Sequence, residues 1–204
     1  MSSVTPVNSM PRADLELGEH ARALYAEDSC ECCSSYGSMH LVCGHRSSAF
    51  PLQLFPGPDF PCVGVTLALI CGLTYLWVVT VAQQLHVVVL VIGLALGGVT
   101  TGAYLYCACS DPGIVFKTPE NDAIRNKTCP KGHRAKCTQC QVWRPAGASH
   151  CYDCDVCIYE LDHHCPWTGK CIGQRTLQVF YVFTSTLCVH ILFVSITTAI
   201  YFVS

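Results

Sequence analysis

A chain of 204 residues that is 51% hydrophobic and only 13% charged is too apolar for an ordinary soluble domain. A net charge of -2 gives no bulk attraction for nucleic acid, which is excluded as an expected partner. Seventeen cysteines require either an oxidising compartment that pairs them or a reducing one where they bind metal or do chemistry.

Residues 1–61 read as a cytosolic N-terminal segment. Met1 to Asp28 is polar, lacks the early apolar run of a cleaved signal peptide, and carries one amphipathic stretch from Ala13 to Glu27. Cys30, Cys32, Cys33, His40, Cys43 and His45 form a loose cluster after it, offering soft metal ligands or juxtamembrane thiols open to acylation.

Three uncharged runs follow, and each matches the roughly 20 residues that an α-helix needs to cross a bilayer core. The first two, 62–82 and 87–107, are joined only by Gln83, Gln84, Leu85 and His86, which predicts an antiparallel transmembrane hairpin. The third covers 179–204. Lysine and arginine accumulate on the cytoplasmic side of membranes. Of the twelve, Arg12, Arg22 and Arg46 precede the first run and nine lie between Lys117 and Arg175, so the N-terminus and the long loop are expected in the cytosol. The cysteines of that loop then face a reducing compartment.

Within the loop, residues 108–136 read as a linker and 137–178 as a cysteine-rich domain. Cys137, Cys140, His150, Cys151, Cys154, Cys157, His163, His164, Cys165 and Cys171 place ten possible ligands in 35 residues. Thiolate and imidazole suit zinc, and the Cys-x-x-Cys spacings at 137/140, 151/154 and 154/157 let two sulfurs reach one tetrahedral ion. With few aliphatic residues for a core, metal binding is expected to supply much of the folding free energy. Closed structural sites take four ligands each, so two zincs use eight and leave two. Spacing alone does not say which two, and a third, incomplete site stays open. A spare histidine and a spare cysteine would be the pair that covalent acyl chemistry needs.

The run Asp162-His163-His164-Cys165-Pro166-Trp167 is preceded by Cys137-x-x-Cys140, Arg144-Pro145, His150-Cys151, Cys154 and Cys157, and followed by Cys171-Ile172-Gly173. It closely resembles the cysteine-rich domain of DHHC-type protein S-palmitoyltransferases. Asp111-Pro112-Gly113 after the second run resembles the family's Asp-Pro-Gly element, and the order of two spans, cysteine-rich loop and further span is the family's. The resemblance implies an all-α membrane protein whose three transmembrane helices carry a cytosolic zinc-binding domain, with short β-hairpins around two zincs, between spans two and three. It also implies the ligand sets: Cys137, Cys140, His150 and Cys157 for one structural zinc, and Cys151, Cys154, His164 and Cys171 for the other.

Cys165 is then the expected nucleophile, His163 its base and Asp162 the carboxylate that orients the base. The implied reaction moves a long-chain acyl group from acyl-CoA, typically palmitoyl-CoA, through acyl-Cys165 to juxtamembrane cysteines of cytosolic or membrane proteins. Trp167, His190, Lys170 and Arg175 are the expected acyl-CoA contacts: Trp167 at the membrane surface, His190 along the acyl chain, and the two cations on the phosphates. Integral residence in the endomembrane system (endoplasmic reticulum, Golgi or plasma membrane) follows from the same resemblance.

Three departures stand against it. The sequence stops at Ser204, before the fourth span and Thr-Thr-x-Glu element usual in the family, as expected of a truncated chain. Lys170 and Thr176 stand where asparagines are usual. The rival reading is therefore a catalytically weak or inactive zinc module that acts by binding protein. A ubiquitin-ligase-type cross-brace is disfavoured, because it needs eight ligands and has no Asp-His-His-Cys run.

Overall fold

The computed structural model describes residues 34–41, 56–124 and 126–203. Of the early cysteine and histidine cluster only His40 falls inside this range, and the amphipathic stretch 13–27 lies outside it.

Three long apolar helices dominate. Helix α1 spans Phe60–Thr80 and continues through a 3-10 turn at Ala82–Gln84, α2 spans Val87–Cys109, and α3 spans Leu177–Val203. Each is long and apolar enough to cross a membrane. At 1.5 Å per residue, the 23 residues of α2 reach about 35 Å, somewhat more than the ~30 Å hydrocarbon core. Helix α1 starts with Pro61 in its first turn, where a missing N–H costs nothing. His86 caps α2 by accepting from the Val88 N–H at 3.3 Å. Leu69, Leu73, Leu76, Val91, Val99, Ile191, Leu192 and Phe202 are exposed, as lipid-facing side chains would be.

Small residues and a few polar pairs hold the helices together, since apolar burial alone offers little drive inside a bilayer. A Cβ on Gly93 would collide with the Trp77 ring, so glycine is what lets α1 and α2 close on that indole. Trp77 Nε1 donates to Thr197 Oγ1 at 3.1 Å, tying α1 to α3. Nearer the cysteine-rich region, Tyr104 of α2 stacks at 5.1 Å on Phe183 of α3, within a core that also buries Val63 and Ile70.

Among the described residues the chain makes four separate two-stranded antiparallel hairpins, three between α2 and α3 and one before α1. That first hairpin pairs β1 (Ser34–Tyr36) with β2 (Met39–Leu41). The others pair β3 (His133–Cys137) with β4 (Val142–Pro145), β5 (Ala148–Cys151) with β6 (Val156–Tyr159), and β7 (His163–Cys165) with β8 (Lys170–Ile172). Among the described residues no separate aliphatic core unites them. Apolar side chains gather instead around the cysteines: Met39, Ile114, Val156 and Ile158 pack with Cys151, Cys154 and Cys171, and Val115 and Val142 with Cys137 and Cys157.

The segment after α2 straps this region down. Asp111 Oδ1 accepts from the N–H groups of Gly113 and Ile114, both at 2.8 Å, which turns the chain sharply off the helix. Val115 N–H then donates to the Cys157 carbonyl at 2.8 Å, and Tyr159 N–H to that of Gly113 at 2.8 Å. Thr176 closes the entry to α3, its hydroxyl accepting from Gly173 N–H at 3.2 Å.

Candidate metal centres and thiol site

Among the described residues, two groups of four soft ligands come together, each with its ligand atoms within 4.8 Å of one another. One contains Cys137, Cys140, His150 and Cys157, the other Cys151, Cys154, His164 and Cys171. Strand alternation explains the interleaving. Successive side chains on a strand point to opposite faces, so His150 and Cys151 at the end of β5 serve different groups. His150 faces Cys157 directly across the β5–β6 pairing, and His164 faces Cys171 across β7–β8. Each cross-strand pair therefore supplies one histidine and one cysteine to the same cluster.

The remaining two ligands of each group come from a tight turn. In both Cys-x-x-Cys turns the second cysteine's N–H donates to the first one's sulfur at 3.5 Å, Cys140 to Cys137 and Cys154 to Cys151. The following residue takes a left-handed conformation, Gln141 at φ 54° and Asp155 at φ 52°, which bends the backbone around the sulfur.

These dimensions fit a tetrahedral ion. Zinc bonds of ~2.3 Å to sulfur and ~2.0 Å to nitrogen put neighbouring ligand atoms about 3.5–3.8 Å apart. In the first group, His150 Nδ1 lies 3.6, 3.3 and 3.9 Å from the sulfurs of Cys137, Cys140 and Cys157. In the second, His164 Nδ1 lies 3.7, 3.3 and 3.8 Å from those of Cys151, Cys154 and Cys171. Three thiols crowded on one imidazole also share protons unevenly. Hydrogen bonding from Cys157 holds Cys140 down to about 5, and that from Cys171 holds Cys154 down to about 6, while the same bonds push the two donors up. A cation at the centre of each group is what would let all three sulfurs be thiolates.

His163 and Cys165 belong to neither group. They flank His164 on β7, so the alternation that turns His164 toward the second group turns both of them to the other face. His163 Nδ1 lies 2.7 Å from Asp162 Oδ2, and its ring packs edge-on against Phe180 of α3 at 5.2 Å. Cys165 is buried against Cys107 of α2 and Ile172 of β8, with Leu177, Val179 and Phe180 beside them. The thiol therefore sits where the hairpins meet the membrane helices.

Thr66 and Tyr104 set that position. Their hydroxyls donate to the Trp167 carbonyl at 3.2 and 2.8 Å, and Tyr104 also reaches the Val63 carbonyl at 3.2 Å. The 3-10 turn Pro166–Thr168 is thereby pinned to α1 and α2, while the Trp167 ring itself is 60% exposed. Gly169, at φ 79°, closes the turn into β8; a Cβ there would meet Val63 Cγ2 at 2.7 Å.

The remaining expected acyl-CoA contacts lie in three different settings. Lys170 is fully buried opposite Cys165 in the β7–β8 register, and burial pushes its ammonium down to about 8. Arg175 is largely exposed and paired with the buried Asp111. His190 is buried within the helices beside Gly97, with Nε2 3.5 Å from the Thr74 hydroxyl.

Sequence reasoning did not single out Asp59, Thr66 or Tyr104, and it gave Asp111 no partner. All four act across long sequence separations.

Two soft-ligand quartets in hairpins held between membrane-length helices define a metal-binding cysteine-rich domain embedded at a membrane. Residues 131–204 match the model of the DHHC palmitoyltransferase family. Among similar proteins, palmitoyltransferase ZDHHC14 of Mus musculus is 30% identical over 177 residues, covering 66% of this chain and 36% of its own length. Its Danio rerio counterpart is 30% identical over 207 residues, 75% of this chain and 40% of its length. Palmitoyltransferase ERF2 of Kluyveromyces lactis is 35% identical over 116 residues, 47% of this chain and 33% of its length. The chain spans less than half the length of these curated relatives.

Proposed function

We propose that the chain is a protein S-acyltransferase that takes a long-chain acyl group from acyl-CoA onto Cys165 and passes it to a cysteine of a protein substrate. The observation that carries this reading is the division of labour on β7: eight ligands are committed to the two quartets, and the thiol and imidazole left over share the opposite face. Asp162 beside His163 completes a set of the kind used for nucleophilic catalysis.

With the Nδ1–H of His163 donated to Asp162, Nε2 is the basic nitrogen. It takes the Cys165 proton as the sulfur attacks the acyl-CoA carbonyl, the carbon–sulfur bond to CoA breaks, and the same proton leaves with the CoA thiol. In the second half the substrate thiol gives its proton to Nε2, attacks acyl-Cys165 and becomes the new thioester, and the proton returns to Cys165. Thioester exchange is close to balanced, so the group can be passed on.

The quartets fit Zn2+, which would supply folding free energy: each offers four protein donors and keeps no position for substrate. Orientation with the cysteine-rich domain and N-terminus in the cytosol is supported by the distribution of the twelve cations. That side also offers acyl-CoA and the juxtamembrane cysteines of protein substrates. Residence in the endomembrane system belongs to the same reading. For the acyl chain, roughly 0.8 kcal/mol per CH2 favours burial among the helices, and His190 is the polar residue it would meet there. Arg175 is the better placed of the two cations for the CoA phosphates, because Lys170 is buried.

The test is incubation of the membrane-embedded chain with labelled palmitoyl-CoA. Hydroxylamine-labile label on the wild type and none on Cys165→Ser is expected. An unlabelled wild type that still holds two zincs would favour the protein-binding module instead.

A further inference from the structure

The two quartets differ in what stands behind the histidine. His164 turns Nδ1 to its three sulfurs, and its other ring nitrogen, Nε2, lies 2.7 Å from Asp59 Oδ2. Asp59 is 105 residues away in sequence and immediately precedes Phe60, the first residue of α1. In the first quartet Asp155 Oδ1 stays 3.7 Å from His150 Nε2, beyond hydrogen-bond reach, and that buried nitrogen has no partner among the described residues.

Further contacts join the same places. Asp59 N–H donates to the Gly169 carbonyl at 3.3 Å, and a Cβ on Gly57 would meet that carbonyl oxygen and Lys170 Cβ, so the two backbones touch. Just ahead, Ser38 N–H donates to the Cys154 carbonyl at 2.9 Å, and buried Met39 packs against Cys154 and Cys171. The described part of the chain before α1 therefore closes over the second quartet.

We propose that Asp59 is a positioning residue for the second metal site: its carboxylate accepts the Nε2–H of His164, fixes the tautomer that presents Nδ1 to the ion, and makes that site the rivet between α1 and the strand bearing Cys165. The inference rests on the reading of the quartets as zinc sites. A carboxylate behind a ligating imidazole raises its basicity, and losing such a partner typically costs 10–100-fold in metal affinity. One site should feel the loss and the other should not.

Zinc release from the purified full chain in detergent to a chromophoric chelator reads this directly, after zinc content has been measured on the wild type. With two zincs bound, Asp59→Ala should release one of them 10–100-fold faster and the other at the wild-type rate. Asp59→Asn, which keeps an oxygen acceptor but not the charge, should fall between. Asp155→Ala should leave both rates unchanged. The cobalt-loaded Asp59→Asn protein should show an altered visible spectrum for one of its two ions, a readout that ordinary loss of packing would not confine to one site. Two zincs with wild-type release in both Asp59 variants would overturn the role of Asp59 alone, as would equal acceleration at both sites. A wild type without zinc would overturn the metal reading along with it.

Discussion

His163 and Cys165 share one face of the three-residue strand β7, and the residue between them, His164, faces the other way into a cluster of three cysteines. The consecutive Asp-His-His-Cys run is thereby split by strand pleating into one quartet member, His164, and a histidine–cysteine pair that lies outside both quartets. Because His163 lies on the non-metal side, His163→Ala should slow acylation of Cys165 by roughly 10²–10⁴-fold, the usual weight of a general base. Asp162→Asn should slow it less, and both variants should retain two zincs per chain. Single-turnover labelling and zinc analysis of the same samples check this.

Acid should strip the metal. Cys140 and Cys154 are held down to about 5 and about 6, well under the ordinary thiol value of about 8.5, so their thiolates favour the folded state. A depressed acid contributes stability that is complete above its unfolded pKa and lost as pH falls through its folded one. Zinc needs its sulfurs as thiolates and competes with protons for them, so zinc content is expected to hold at pH 7 and above and to fall as the solution is made acidic. Equilibrium dialysis over a falling pH series measures it, with loss of the folded cysteine-rich region expected in parallel.

Asp111 and Arg175 form a pair with unequal members. Asp111 is buried and satisfies two backbone N–H groups, whereas the Arg175 side chain is 61% exposed. Asp111→Ala orphans both donors at about 1–3 kcal/mol each, and Arg175→Ala should cost under about 1 kcal/mol, as exposed ion pairs do. Thermal unfolding in detergent should rank them in that order. Arg175→Ala should also raise KM for acyl-CoA if the arginine meets its phosphates.

Tyr104→Phe removes one hydroxyl and loosens two carbonyls, those of Trp167 and Val63. The expected cost is about 1 kcal/mol, together with slower acyl loading as the turn after Cys165 loses its anchor on α2. A variant with wild-type stability and loading would show that Thr66 alone holds the turn.

Much of this architecture is written in local composition. Uncharged runs mark the helices because a bilayer tolerates nothing else over that length, and the ligand-rich segment announces itself because so few other residues could fold it. The pairing of ligands into quartets is different. It depends on which face of each hairpin a residue occupies, and the spacings 137/140, 151/154 and 154/157 leave that open until strand register is known. The support around the thiol was the least legible. Asp59 and Tyr104 reach their partners across 105 and 63 residues, and neither residue type is unusual where it stands. Lys170 shows the opposite limit: its charge suggested a phosphate contact, yet its register opposite Cys165 buries it.

The most direct test of the account compares the zinc content of Cys165→Ser with that of Cys171→Ser in the purified chain. Two zincs per chain in the first and one in the second are predicted, because Cys165 lies outside both quartets and Cys171 within one. Loss of a zinc on replacing Cys165 would make that sulfur a ligand and contradict its assignment as the acyl-carrying thiol.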